Sequence, residues 1–276
     1  MSSFAKPKIR RKNAVKNDIG LIRSDYDGPM STLCAGCGHD SATAALARAF
    51  FELSIEPHRV AKVSGIGCSS KTTSYLLANA HGNNTTHGRM PSVATGAAAA
   101  NSELTYFGVS GDGDSLSIGA GQLIHAMRRN PNMLYMLENN GVYGLTKGQF
   151  SASADLGSTA KKGGANQQPP IDPVALALSV GATFIGRSFS GDREQLVRLI
   201  KAGIKHKGFA IIDVISPCVS FNDHKGSTKS YAHTYQYYHK AVHVDYVPPS
   251  REIKTAYDEG DMMPVELHDG GVIKLR

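Results

Sequence analysis

Four cysteines are the first residues whose type and spacing could do chemistry: Cys34, Cys37, Cys68 and Cys218. Cys34 and Cys37 form a C-x-x-C inside Leu33-Cys34-Ala35-Gly36-Cys37-Gly38-His39. The glycines let the backbone turn tightly and aim amides at sulfur. One C-x-x-C points to metal or redox chemistry. A zinc ribbon would want a second C-x-x-C, and a thioredoxin-like motif would need no further cysteines. Four thiolates, two of them distant in sequence, suit a four-cysteine [4Fe–4S] cluster or a Zn(Cys)₄ site. Four unrelated buried thiols are the plain alternative, since a cytosolic chain needs no disulfides.

A second set combines carboxylate, amide and glycine. Gly111-Asp112-Gly113-Asp114 follows an apolar run, and Asn139-Asn140 follows the next one. A carboxylate and an amide oxygen are hard ligands suited to Mg²⁺, which takes one or two protein oxygens together with phosphate oxygens. The glycines permit close backbone approach, and a helix N-terminus after Asp114 favours an anion. A turn rich in Asp and Gly, with two asparagines as loop formers, is the bland reading. Lys71, His87 and His39 are single side chains of open role: a solvated or a substrate-facing lysine, a structural or a ligand-facing histidine, and a cap or helix start at His39.

These residues need elements that bring them together. Arg59 to Gly65 reads as a strand, with Cys68 just beyond it. Phe209 to Ile215 is an apolar run broken only by Asp213, the mark of a buried parallel strand, and Cys218 follows it. Leu104 to Val109 and Met133 to Leu137 read as strands around a helix from about Ser115 to Arg128. On that helix Leu116, Ala120, Leu123, Ile124 and Met127 share one face. A second helix is expected from Asp40 to Leu53. A βαβ unit makes its strands parallel. All strand C-termini then lie on one sheet edge, where open α/β sheets bind ligands. Asp112, Asn140, Cys68 and Cys218 are therefore expected at the same edge. The fold class is α/β, an open, mostly parallel sheet flanked by helices.

The 276-residue chain is 41% hydrophobic and 19% charged, which excludes a mainly disordered or coiled-coil protein. No apolar run approaches the ~18 residues of a membrane span, and the N-terminus lacks the apolar stretch of a secretory signal. The expectation is a cytoplasmic protein without a membrane partner. The net charge is +7. Part of it sits in Lys6, Lys8, Arg10, Arg11, Lys12 and Lys16, and basic residues are not interleaved with aromatics as in single-strand binders. No nucleic-acid partner is expected. The divisions are a basic arm over 1–30, one α/β domain over 31–240 and a C-terminal extension over 241–276. The polar, aperiodic stretch Phe150 to Pro170 reads as a loop over a ligand or against a partner.

Gly-Asp-Gly followed one strand later by Asn-Asn resembles the thiamine diphosphate fingerprint. From Cys34 to Tyr238 the chain resembles the β subunit of 2-oxoacid:ferredoxin oxidoreductases. The resemblance runs in order through Cys34–His39, Ser64–Ser69, Thr86–Arg89, Val93–Gly96, Gly111–Asp114, Leu116–Gly119, Asn139-Asn140, Tyr143–Gln149 and Ser216–Cys218. It implies thiamine diphosphate, Mg²⁺ and a [4Fe–4S] cluster as cofactors. An α subunit would complete the cofactor site, ferredoxin would accept electrons, and a 2-oxoacid and CoA would be substrates. By the resemblance, Cys34, Cys37, Cys68 and Cys218 ligate the cluster. Asp112, Asn140 and the Val142 carbonyl hold Mg²⁺. Gly67, Cys68, Ser69, His87, Gly111, Asp112, Gly113, Asp114, Asn140, Val142, Gly144, Leu145 and Thr146 contact the cofactor, and Lys71 and His87 are the catalytic candidates. The runs Tyr143–Gln149 and Ile124–Asn130 are most similar to the 2-oxoglutarate and broad-specificity branch, so 2-oxoglutarate is the expected substrate, with pyruvate or broad 2-oxoacids as the alternative. Two rival classes are a cluster-free thiamine diphosphate decarboxylase or synthase, which leaves the cysteines idle, and a zinc-bearing nucleic-acid module, which leaves the βαβ signature unexplained.

Overall fold

The computed structural model describes residues 13–159, 164–238, 253–256, 258, 262–267 and 270–275. Part of the expected basic arm (1–12), part of the expected loop (160–163) and much of the expected C-terminal extension lie outside the described residues. In chain order the strands are β1 (Val60–Ser64), β2 (His81–Asn84), β3 (Thr105–Gly111), β4 (Met133–Asn139), β5 (Val142–Tyr143), β6 (Gln149–Phe150), β7 (Phe184–Phe189), β8 (Phe209–Ile215), β9 (Met263–Glu266) and β10 (Val272–Leu275). The α-helices are α1 (Gly38–Glu52), α2 (Met90–Ala100), α3 (Ala120–Arg129), α4 (Pro173–Ser179), α5 (Arg193–Lys205) and α6 (Tyr231–Tyr237). The chain forms two compact units, Met1–Val244 and Asp245–Arg276. The second contains the antiparallel hairpin β9–β10. Among the described residues no helix is long and apolar enough to cross a membrane.

In the first unit, six parallel strands run in the order β2-β1-β3-β4-β8-β7. Alternate residues of each strand feed opposite cores, as a pleat of period two requires. On β4, Leu134 and Met136 join α1 and α5 in one core, while Met133, Tyr135 and Leu137 join α2, α3 and α4 in the other. The result is a helix–sheet–helix sandwich of the expected class. α1 presents Ala42, Ala45, Leu46, Ala49 and Phe50 to the sheet, an i, i+3, i+4, i+7, i+8 stripe. Each fully buried large side chain of this kind contributes roughly 1.5–3 kcal/mol. Residues 13–30 also pack on this unit: Tyr26 is fully buried, and Asn17 donates to the Phe51 carbonyl at 3.1 Å.

The helix expected from Ser115 to Arg128 is not continuous. A π-turn occupies Gly113–Ile118, and α3 begins only after Gly119. The Gly119 N–H donates to the Asp114 carbonyl five residues back at 2.9 Å, the bond that defines a π-bulge. A Cβ at Gly119 would stand 2.7 Å from that carbonyl, so the widened turn requires glycine there. Asn130, with φ 55°, then ends α3 in the left-handed region. Its Oδ1 accepts from the Phe209 N–H at 2.6 Å, which ties the helix end to β8.

Candidate cofactor site and cysteine cluster

β1, β3, β4 and β8 are consecutive in the sheet. Their C-terminal loops carry Cys68, Asp112, Asn140 and Cys218 in that spatial order. The loops interdigitate because glycines leave room. A Cβ at Gly113 would lie 2.5 Å from the Tyr143 ring, and one at Gly111 would lie 2.7 Å from the Ser69 hydroxyl. The cavity between the loops measures about 120 Å³. Every residue assigned above to the cofactor lines it, from Gly67 to Thr146, together with His39, Ile66 and Tyr143. Lys71 does not line it. Its charge instead acts on Cys68, working against the rise that burial imposes on that thiol.

The Asp112 carboxylate is buried and wrapped by the loop after β4. Oδ2 accepts from the Gly141 N–H at 3.0 Å, from the Ser153 hydroxyl at 2.6 Å and from the Ser151 hydroxyl; Oδ1 accepts from the Asn140 N–H at 3.4 Å. Burial raises its pKa, and these hydrogen bonds oppose the rise. Asn140 turns its Oδ1 to the Val142 N–H at 2.9 Å, and its carbonyl accepts from Asn222 at 2.7 Å. A buried carboxylate beside an amide oxygen is a hard-oxygen donor set, and a divalent cation there would offset the burial of charge. The residues fit Mg²⁺.

Asp114 is expected to contact the cofactor. Its carboxylate is also a hub: the Gly88 N–H donates to it at 2.7 Å, and the Ser110 hydroxyl and the His87 ring bond to it. His87 thus reaches the cavity as one half of an ion-pair geometry with a buried partner.

The cysteines collect beside this cavity. The loop Cys34–Gly38 is pinned to the loop after β8: the Gly38 N–H donates to the Pro217 carbonyl at 3.2 Å, and Ser220 donates to the Cys34 sulfur at 3.2 Å. Gly144 lies between cavity and sulfurs. A Cβ there would stand 3.4 Å from Cys218 Sγ and 3.7 Å from Cys68 Sγ. Burial pushes the Cys37 thiol up to about 12 and raises Cys68 and Cys218; the charge of Cys218 adds to the rise at Cys37 and Cys68, and that of Cys34 adds to the rise at Cys218. Backbone N–H groups of Phe221, Ser220 and Asn222 point at Cys218 and lower it in part. Thiols held this way gain most from a metal that takes them as thiolates. Among the described residues, no three His, Cys, Asp or Glu side chains converge on one ion. Each thiolate of a [4Fe–4S] cluster binds its own iron, so the sulfurs need not converge on one ion. The donor set fits the cluster.

Glu138 was not singled out by sequence reasoning. It is fully buried, accepts from Thr72 Oγ1 at 3.1 Å through both oxygens, and lies 3.1 Å from His39 Nδ1. Burial pushes its carboxyl well above the usual range and lowers the His39 imidazole to about 4. The signal available in the sequence was a carboxylate closing an otherwise apolar strand. A larger cavity of about 320 Å³ touches Arg187 and Lys229, but these are paired with Asp213 at 2.8 Å and Asp155 at 3.2 Å, and none of the expected site residues lines it.

The parallel sheet belongs to a thiamine-diphosphate-binding domain: residues 65–214 match the family described as thiamine pyrophosphate enzyme, C-terminal TPP binding domain. The 2-oxoacid:ferredoxin oxidoreductase subunit beta of Saccharolobus solfataricus is 43% identical over 211 residues, 76% of this chain and 67% of that one. A second such subunit, from Sulfolobus sp, is 38% identical over 85% of this chain and 80% of its own. The 2-oxoglutarate oxidoreductase subunit KorB of Mycobacterium tuberculosis is 41% identical over 69% of this chain, which spans about half (51%) of that protein. A solved 2-oxoglutarate:ferredoxin oxidoreductase from Magnetococcus marinus, with 2-oxoglutarate, coenzyme A and succinyl-CoA bound, superposes with a TM-score of 0.73 at 35% identity, over 78% of this chain and 73% of that one. The chain belongs to the β subunits of the 2-oxoacid:ferredoxin oxidoreductases, which are thiamine-diphosphate-dependent enzymes.

Proposed function

We propose that this chain, with an α subunit, oxidatively decarboxylates 2-oxoglutarate with CoA to succinyl-CoA and CO₂, passes the electrons through a [4Fe–4S] cluster to ferredoxin, and can run in reverse as a carboxylase. The observation that carries this reading is Gly144, which lines the cofactor cavity and faces the sulfurs of Cys68 and Cys218. One peptide separates the place for decarboxylation chemistry from the place for electron uptake. When bound, thiamine diphosphate would supply the nucleophile for the keto carbon and the electron sink on loss of CO₂, and the cluster would take electrons singly.

The chain's own residues would hold and orient. Asp112, Asn140 and the Val142 carbonyl would bind Mg²⁺, and the loops Gly67–Ser69, Gly111–Asp114 and Gly144–Thr146 would close on the diphosphate. Cys34, Cys37, Cys68 and Cys218 would ligate the cluster. His87, fixed by Asp114, would face diphosphate or substrate. Lys71 is assigned to a substrate carboxylate, from the turn just past Cys68. A cavity of about 120 Å³ is well below the 300–1,000 Å³ of a complete small-molecule site, and Leu145 at its lining is 52% exposed. Both features support an α subunit that covers the remaining cofactor. A cytoplasmic location is part of the same reading.

The substrate rests on the resemblance of Tyr143–Gln149 to the 2-oxoglutarate branch and on relatives of that name. The αβ complex should show far higher kcat/KM on 2-oxoglutarate than on pyruvate. Equal values would replace this assignment with a broad 2-oxoacid enzyme.

A further inference from the structure

His39 stands two residues after Cys37 at the start of α1, is buried, and lines the cofactor cavity. Its Nδ1 lies 2.6 Å from the Ser216 hydroxyl and 3.1 Å from Glu138 Oε2, and its Nε2 lies 3.4 Å from Asn140 Nδ2. The orientation of the Asn140 amide is determined by its other end, because Oδ1 accepts from the Val142 N–H at 2.9 Å. The NH₂ group therefore faces His39. An amide nitrogen only donates, so Nε2 must be the bare, accepting nitrogen and the ring proton must sit on Nδ1. There it has two acceptors. Glu138 is itself held by Thr72 at 3.1 Å.

We infer that His39, held as its Nδ1–H tautomer by Glu138 and Ser216, is a positioning residue that fixes the Asn140 amide with its oxygen turned away from the ring and toward the Mg²⁺ position. The inference rests on the reading of Asn140 as a Mg²⁺ ligand. Partners that orient a metal's ligands typically change affinity 10–100-fold when removed. The chain Thr72–Glu138–His39–Asn140 draws on the end of β4, the start of α1 and the turn after β1, so it locks the cofactor edge to the loop that carries Cys37.

The test is the Mg²⁺ dependence of thiamine diphosphate binding, measured by fluorescence quenching on the anaerobic αβ complex, with iron counted in each preparation. His39→Asn keeps an amide beside Ser216 and Glu138 but is too short to reach Asn140. His39→Gln can present an oxygen where Nε2 stood. The Mg²⁺ concentration for half-saturation should rise at least tenfold in His39→Asn and stay within about threefold of wild type in His39→Gln. Saturating Mg²⁺ should restore thiamine diphosphate affinity in His39→Asn, with iron unchanged. An unmoved midpoint in His39→Asn, or a tenfold shift in His39→Gln, would overturn the inference. So would an affinity loss that Mg²⁺ does not repair and that tracks loss of iron, because that outcome makes His39 purely structural. A wild-type complex that binds thiamine diphosphate with no Mg²⁺ dependence would sink the site reading itself, a separate failure visible before any variant is made.

Discussion

Gly65→Ala is the most informative single methyl in the molecule. Gly65 follows β1, and a Cβ there would lie 2.7 Å from Asp114 Cγ and closer still to Oδ2. Carbon atoms prefer 3.5–4.0 Å, so one group must move by about 1 Å. The group in the way cannot swing clear, because Asp114 is buried and accepts from Ser110, Gly88 and His87. Overpacking alone costs about 1–3 kcal/mol, and a weakened hydrogen bond to a buried charged group adds about 1.5–3 kcal/mol. A loss of roughly 2.5–6 kcal/mol corresponds to a fall in Tm of about 5–24 °C at 2–4 °C per kcal/mol. Thermal unfolding followed by circular dichroism checks this, with Gly96→Ala as control. Gly96 lies inside α2 with open space around it, so alanine there should stabilise by about 0.5–1 kcal/mol. A Gly65→Ala midpoint within 2 °C of wild type would refute the argument that Asp114 is immobile.

Two further outcomes follow from other parts of the structure. Gly144→Ala adds a methyl at ordinary contact distance from Cys218 and Cys68 and should keep its iron, whereas the branched side chain of Gly144→Val should displace a sulfur and lower iron per chain by half or more. Equal iron in both would remove Gly144 from the cluster wall. Lys62 on β1 is half-buried, and burial brings its ammonium down to about 8 from 10.5. Its folded pKa is the lower one, so between pH 8 and 10.5 the unfolded chain binds more protons and Lys62 contributes stability that rises with pH. Urea midpoints at pH 8 and 9.5 should differ more favourably in wild type than in Lys62→Met, and identical shifts would contradict the assignment.

β8 could be read directly, residue for residue, because six apolar residues in a stretch of seven, broken only by Asp213, fit a strand covered on both faces. β4 runs two residues further than its apolar stretch, since Glu138 and Asn139 are polar yet fully paired inside the protein. The meeting of Cys68 with Cys218 was legible because parallel strands end on one edge. The π-turn was not, because the apolar spacing from Leu116 to Met127 satisfies a helix with or without the break at Gly119. Nor was the Glu138–His39 contact, whose partners come from β4 and α1 and share no local pattern. The hairpin β9–β10 escaped notice because its strands are four residues each and one begins Met-Pro.

The central claim is a redox cluster beside a thiamine diphosphate site, and the direct test is iron, acid-labile sulfide and zinc per chain on protein prepared without oxygen. About four iron and four sulfide per chain and no zinc are expected. One zinc per chain without sulfide would contradict it, leaving a structural cysteine site next to a thiamine-diphosphate-binding domain.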